Sequence, residues 1–375
     1  MEQVGTHQEV LEDVKIKEER VRAFLDREGL DVLVLGRQDN FAWITAGGDN
    51  RVVTTTEMGD GFVGISQTHK WLVSYHMDGQ RFIAEQVPDQ DYELVTLYWH
   101  QGAPQDKIAQ LTRGMRVGAD FPLPGARQYA SEIVDLHYPF TDLDLRRLRW
   151  MGKNSDEIIT RVAKNLEPGM TEQEIAARLA YEYTLAGITL DALMVGVDDR
   201  IRRYRHPIPT GKALQRYAFL HPPGRRWGAH ANITRLVHFG EPPQDIQDAF
   251  KAVTAVGAHV TSMLAPGVRF ADILAEEKRL YAKYGYAAEW NYHFLGGISG
   301  YTLVDPARCL DPEARVVERQ SYGYFITITG AKFEELIILT EDGVEIASLP
   351  PGTQWPTQVV RTDDGEIAGP EILVR

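Results

Sequence analysis

A chain of 375 residues with 43% hydrophobic and 25% charged residues has the composition of an ordinary globular protein, long enough for two domains. The net charge of −13 disfavours a nucleic-acid partner, whose phosphates select basic surfaces. The single cysteine, Cys309, excludes an intrachain disulfide, no apolar run reaches the roughly 20 residues of a membrane span, and the first segment is too polar for a secretory signal, so the expectation is a cytoplasmic protein with no membrane partner.

Val14, Ile16, Val21, Phe24 and Leu25 form a loose apolar stripe that predicts a surface helix over 11–27. Gly29 precedes a buried strand, DVLVLG (31–36). NFAWITAG (40–47) and GFVGIS (61–66) read as further strands, 70–82 as a strand running into a helix, and YELVTLYW (92–99) as another strand. A helix from Asp106 to Leu111 and a strand over 116–120 complete an α/β domain ending near Phe140. The charged stretch TDLDLRRLRWMGKNSDEI then reads as a linker running into the first helix of a second domain, or as an exposed helix.

The second domain contains an internal repeat. LEPGMTEQEIAARLAYEYTLAGI, starting at Leu166, aligns without gaps with LAPGVRFADILAEEKRLYAKYGY, starting at Leu264. Pro168 matches Pro266, Gly169 matches Gly267, Tyr183 matches Tyr281 and Gly187 matches Gly285. Each copy is a Pro-Gly turn followed by a helix of about four turns ending at a glycine. Two similar halves facing one another place any site in the cleft between them.

The densest chemistry lies between His206 and His238. Histidines 206, 221, 230 and 238 sit on or beside two apolar runs, YAFLH and ANITRLVHFG, which read as adjacent strands joined by a Pro-Gly-Arg-Arg turn. His230, Asn232 and Thr234 alternate and so share a face of an extended strand. Arg202, Arg203 and Arg205 form a basic run able to attract a carboxylate. Tyr292, Tyr301, Tyr322 and Tyr324 cluster near a glycine loop, GGISG (296–300), whose context is wrong for phosphate binding. Cys309 lies in a Pro/Asp-rich loop and is not favoured as a nucleophile.

A Pro-Gly-x-Thr helix start, a His-Pro before a strand and a strand pair ending in Ile-Thr-Arg resemble the creatinase / aminopeptidase P / prolidase superfamily. The resemblance covers essentially the whole chain, with KNSDEI (153–158) and EELIILTEDG (334–343) at corresponding places. It implies an α/β (α+β) protein: a creatinase-like N-terminal domain over 1–145 and a pita-bread domain with a pseudo-twofold repeat over 146–375. Metallopeptidase members hold two metals on Asp, Asp, His, Glu and Glu, because hard divalent ions take anionic oxygen ligands. Here His221 stands at the first Asp and Asn232 at the second. Gly297 replaces the ligand histidine, and YFITITG (324–330) holds no acid. Glu334 alone matches a ligand, so a two-metal site is not expected.

His293 matches the family's upstream histidine. His206 matches a histidine that binds substrate across the family and is the acid–base group in creatinase, which works without metal. The resemblance therefore implies His206 and Glu334 as catalytic residues. His221, His230, Asn232, His293, Arg205 and Tyr301 are the substrate-binding candidates, with no metal and no cofactor. Glu334, with His221 and His293 nearby, is expected to hold a cationic group; Glu335 points the other way and is expected to be exposed. Three functions follow. The first is a metal-independent hydrolase or lyase of a C–N bond in a small amino-acid-like, amide or guanidino substrate. The second is an Xaa-Pro peptidase-like enzyme with one residual metal on His221, His293 and Glu334. The third is a non-catalytic binding protein, a use that chromatin chaperones make of this fold. Family members commonly build the cleft across a homodimer, which is expected here too. A hairpin around Asp363-Asp364-Gly365 is expected near the C-terminus.

Overall fold

The computed structural model describes residues 3–375, which divide into two compact units, one ending at Leu143 and the other beginning at Asp144. The first opens with α1 (His7–Glu28), capped by reciprocal bonds between Thr6 and Glu9 and ended by Gly29 at φ 66°. Then follow β1 (Val32–Arg37), α2 (Gln38–Ile44), β2 (Met58–Ser66), β3 (Lys70–Tyr75), α3 (His76–Arg81), β4 (Glu93–Leu97), α4 (Pro104–Leu111), β5 (Val117–Ala119), β6 (Ala126–Gln128) and α5 (Ser131–Val134). The strands make one mixed sheet in the order β4-β3-β2-β1-β5-β6. NFAWITAG is not a strand: its first half belongs to α2, with Phe41, Trp43 and Ile44 all buried. A short helix buried on every side has no amphipathic period to distinguish it from a buried strand.

The second unit starts within α6 (Asp142–Lys164). This is one continuous helix of 23 residues, neither a linker nor an exposed helix, since Asp144, Arg147, Met151 and Asp156 are buried. It leads through α7 (Glu172–Leu185), β7 (Thr189–Leu190), β8 (Met194–Val197) and α8 (Asp199–Arg203) to β9 (Tyr217–His221), β10 (Gly224–Arg226), β11 (Ala229–Ala231) and β12 (Arg235–His238). The second half follows as α9 (Gln244–Ser262), α10 (Phe270–Lys283), β13 (Gly296–Ser299), α11 (Pro306–Leu310), β14 (Gln320–Ile328), β15 (Ala331–Thr340) and β16 (Gly343–Ile346). The chain closes with a hairpin, β17 (Thr357–Thr362) and β18 (Gly365–Pro370), and with β19 (Leu373–Val374). The hairpin turns at Asp363-Asp364, as its turn residues imply.

The repeat is structural. Helices α7 and α10 each have 14 residues and follow the long helices α6 and α9. Gly187 and Gly285 both take positive φ (72° and 88°) just past the helix end. The Gly169 N–H donates to Leu214 O at 2.8 Å, and its counterpart Gly267 to Val316 O at 2.9 Å. Strands of the first half lie in the sheet β19-β12-β9-β8, completed by the C-terminal β19, and in the smaller sheet β11-β10-β7; those of the second half form β13-β14-β15-β16.

Strands β9 and β12 are antiparallel neighbours, with Arg235 opposite Leu220. Between them the chain makes a second hairpin, β10 with β11. Pro-Gly-Arg-Arg therefore runs into β10 rather than forming the turn, and the reversal falls at Trp227-Gly228, both at positive φ. Arg235 fixes β12 in the core: its guanidinium reaches Glu335 at 2.5 Å, Asp156 at 3.3 Å and Ser348 O at 2.8 Å. Glu335, expected at the surface, is thus fully buried as a partner of Arg235.

Candidate functional site

Alternation along β15 aims Lys332 and Glu334 to one face and Phe333 and Glu335 to the other. Lys332 Nζ lies 2.8 Å from Glu334 Oε2. The same oxygen accepts from Thr234 Oγ1 at 2.6 Å and lies 3.0 Å from His221 Nδ1. His221 ends β9 and Thr234 immediately precedes β12, so the β9–β12 pairing brings both against β15. His221 Nδ1 is also 3.0 Å from Ile233 O. A carbonyl only accepts, so Nδ1 carries the proton and donates. Lys332 Nζ lies over the ring of Phe325, at 5.2 Å, and over that of Phe219, at 5.9 Å.

Burial alone would push the Glu334 carboxyl up, but His221 and Lys332 outweigh it and hold the group well below the usual carboxylate range. Its other oxygen, Oε1, is buried and has no hydrogen-bond partner among the described residues.

Beyond Phe325 is a histidine pair. His206 Nε2 is 3.1 Å from His293 Nε2, with the rings edge to face at 5.1 Å. His293 Nδ1 lies 2.8 Å from Phe294 O, so Nδ1 is the protonated nitrogen of His293 and its Nε2 is a bare acceptor. His206 must then donate through Nε2–H, which leaves its Nδ1 lone pair unprotonated. His206 is placed by the loop after α8, where Pro207 packs onto Gly196 of β8; a Cβ on Gly196 would lie 2.7 Å from the proline ring. His293 precedes Gly296, whose φ of 112° and closeness to Gly323 O allow no side chain. Partial desolvation first, then the charges of Lys332 and His221, lower His206 below the ordinary 6.5. Burial and Lys332 lower His293 to about 4.

Of the expected site residues, the structure gathers His206, His293, His221 and Glu334 around Lys332 and Phe325. It does not gather the others. His230 Nδ1 turns to Asp191 at 2.8 Å, because the extended strand breaks after Ala231 and its alternation with Asn232 and Thr234 is lost. Asn232 donates its amide to Leu303 O at 2.8 Å. The Arg205 guanidinium is engaged by Glu289 and Thr329, while Arg202 pairs with Asp245 and Arg203 with Asp199. Tyr301 is buried and donates to Asp144 at 2.6 Å. Tyr322 and Tyr324 are core, and Cys309 is buried in α11 rather than in a loop. Lys332 was missed altogether. A lysine flanked by Ala331 and Phe333 on an apolar strand, two residues before the one matching acid, was the available signal.

The residues present do not fit the two-metal group. Asn232, Gly297 and the acid-free stretch 324–330 offer no charged ligand where the resemblance implies acids or a histidine. Glu334 Oε2 already accepts from an ammonium, a hydroxyl and an imidazole N–H. The three-residue alternative fails as well, because His293 pairs with His206, and no group of three or more His, Cys, Asp or Glu able to hold a metal occurs among the described residues. Nor does Glu334 await a cationic group, since Lys332 already supplies one.

Residues 146–341 match Metallopeptidase family M24. The probable dipeptidase PepE of Mycobacterium tuberculosis is 25% identical over 211 residues, which are 54% of this chain and 56% of that protein. The chain thus spans just over half the length of this curated relative. Among solved structures, dipeptidase PepE from Mycobacterium ulcerans superposes with a TM-score of 0.73 at 16% identity, covering 97% of this chain and 98% of that one. The Xaa-Pro dipeptidase from Bacillus anthracis gives 0.72 at 17% identity, covering 96% and 100%. These likenesses show the pita-bread fold with its N-terminal domain. The family match takes in just over half of the chain, including both copies of the helical repeat and the strand that carries Lys332 and Glu334: the chain belongs to metallopeptidase family M24.

Proposed function

We propose that the chain is an M24-type hydrolase that cleaves the C–N bond of a small dipeptide-like or amide substrate, with a lysine in place of the family's metals. The observation that carries this reading is the ammonium of Lys332, held 2.8 Å from Glu334 and over two phenyl rings. A fixed positive charge in a dry site stabilises the oxyanion that develops when a carbonyl is attacked. His206 presents Nδ1 as the base. It takes the proton of the attacking water as the O–C bond forms, and returns it to the leaving nitrogen as the C–N bond breaks. The products are an acid and an amine. Glu334 holds the Lys332 ammonium in place and, through Oε1, accepts a hydrogen bond from the substrate or the nucleophile.

Of the enzyme readings open from sequence, the peptidase-like one is better supported, because the family and the relatives with stated activities are peptidases. Nothing favours a creatinase-like lyase. The test is a panel of Xaa-Pro dipeptides, aminoacyl amides and creatine, with protein purified without a histidine tag and dialysed against chelator. Release of amine from a dipeptide or amide, lost in both His206→Gln and Lys332→Met, is the expected result. Turnover of creatine alone, or turnover that requires an added divalent ion, would overturn the proposal.

A further inference from the structure

Next to the histidine pair lies a cavity of about 430 Å³ that the hydrolytic reading leaves unused. Its walls include Leu274, Trp290, Tyr292, His293, Phe294 and Leu310. Among the described residues no Asp, Glu, Lys or Arg side chain lines it. Cys309 adds an apolar wall, since burial pushes its thiol up to about 12 and keeps it protonated. His293, lowered to about 4, is neutral at pH 7. Three large apolar side chains stay open to solvent here, Tyr292 at 61%, Phe294 at 45% and Leu310 at 69%. An apolar concavity of this size lined by aromatics is the usual form of a small-molecule site. The charges around it sit behind its wall residues: Glu277 accepts from the Trp290 indole at 3.0 Å, Lys278 Nζ lies over the Trp290 ring at 4.6 Å, and Arg205 beside Tyr292 is paired with Glu289.

What identifies the occupant is continuity with the reactive groups. One imidazole, His293, is both a wall of this cavity and the hydrogen-bond partner of His206. A group seated against Trp290 and Phe294 is therefore joined to whatever His206 acts on. We infer that this cavity is the side-chain subsite of the substrate, taking an uncharged aromatic or large branched aliphatic group attached beside the scissile bond. The inference rests on the proposed role of His206 for its link to chemistry, and on the cavity itself for binding.

Binding by the full chain tests it without turnover. The probes are the N-acetyl amides of phenylalanine, leucine, glycine and lysine, titrated calorimetrically into wild-type protein, Leu310→Lys and Tyr292→Ser. Both positions are exposed, so folding is spared, and circular dichroism checks this. Burial of a large apolar side chain gives an expected preference of at least about tenfold for the phenylalanine and leucine probes over glycine and lysine. Leu310→Lys should abolish the preference and Tyr292→Ser reduce it, while His206→Gln leaves it intact. Equal binding of the phenylalanine and glycine probes, or a preference untouched by both pocket variants, would overturn the inference. So would conversion of a dimer to a monomer by Leu310→Lys in light scattering, which would assign the cavity to a second copy. Apolar preference without turnover of any amide would sink the hydrolase proposal and leave the cavity standing only as an apolar binding site; turnover indifferent to the side chain would sink the subsite and leave the hydrolase.

Discussion

Lys332 and Glu334, two residues apart on β15, form a buried ion pair with Nζ 2.8 Å from Oε2 and side chains only 4% and 1% exposed. Removing one partner leaves an uncompensated buried charge, which costs far more than the net worth of the pair. Lys332→Met should therefore lower unfolding stability by about 3–5 kcal/mol, and Lys332→Met/Glu334→Gln by clearly less. Denaturant unfolding of wild type, both single variants and the double variant measures this coupling. Additive losses would mean that the two side chains do not depend on one another.

Burial first, and then the same lysine, lowers the titration of the histidine pair. His206 is lowered by desolvation and then by Lys332, and His293 is lowered to about 4 from the ordinary 6.5. The folded chain binds fewer protons at these rings than the unfolded chain. Their contribution to stability is thus present above pH 6.5 and lost as pH falls towards about 4. Proton NMR titration of the imidazole rings should place both below free histidine, and Lys332→Met should move both upward. A Lys332→Met variant with unchanged histidine titrations would remove the lysine from this site.

How much of this could be read beforehand differs residue by residue. The helical repeat was legible because Gly187 and Gly285 occupy positive-φ positions that alanine would strain, and such punctuation survives in sequence. The meeting of His221 with Glu334 was not: it depends on the pairing of β9 with β12 and on the packing of β15, which no local pattern encodes. His230 was misassigned because alternation holds only while a strand continues, and this one breaks after Ala231. Lys332 and Glu335 escaped for a shared reason. Charged side chains in a strand are presumed solvated, and each is buried here because an opposite charge lies on another residue, Glu334 for the first and Arg235 for the second.

If a lysine replaces the metals, chelation should do nothing. Protein dialysed against EDTA is expected to keep its unfolding midpoint and any amidase or dipeptidase turnover, and elemental analysis should find no stoichiometric zinc, manganese or iron. Added manganese or zinc should not raise the midpoint, because a ligand that binds the native state must stabilise it. A midpoint that climbs with metal concentration would identify a ligand set other than the one around Glu334.

Because His293 donates from Nδ1 to Phe294 O, it can only accept at Nε2, and so fixes His206 as the Nε2–H tautomer. In ¹⁵N-histidine spectra at neutral pH, His206 should show a protonated Nε2 and a bare Nδ1, and His293 the opposite. Glutamine at 293 retains an oxygen that can accept from His206, whereas phenylalanine does not. His293→Gln should thus keep the His206 tautomer and most of kcat, while His293→Phe mixes the tautomers and lowers kcat with less effect on KM. His206→Gln removes the base itself and should lower kcat by about 10²–10⁴-fold. If His293→Phe leaves both the tautomer and kcat unchanged, the contact between the two rings is packing alone, and the base must be sought in another side chain.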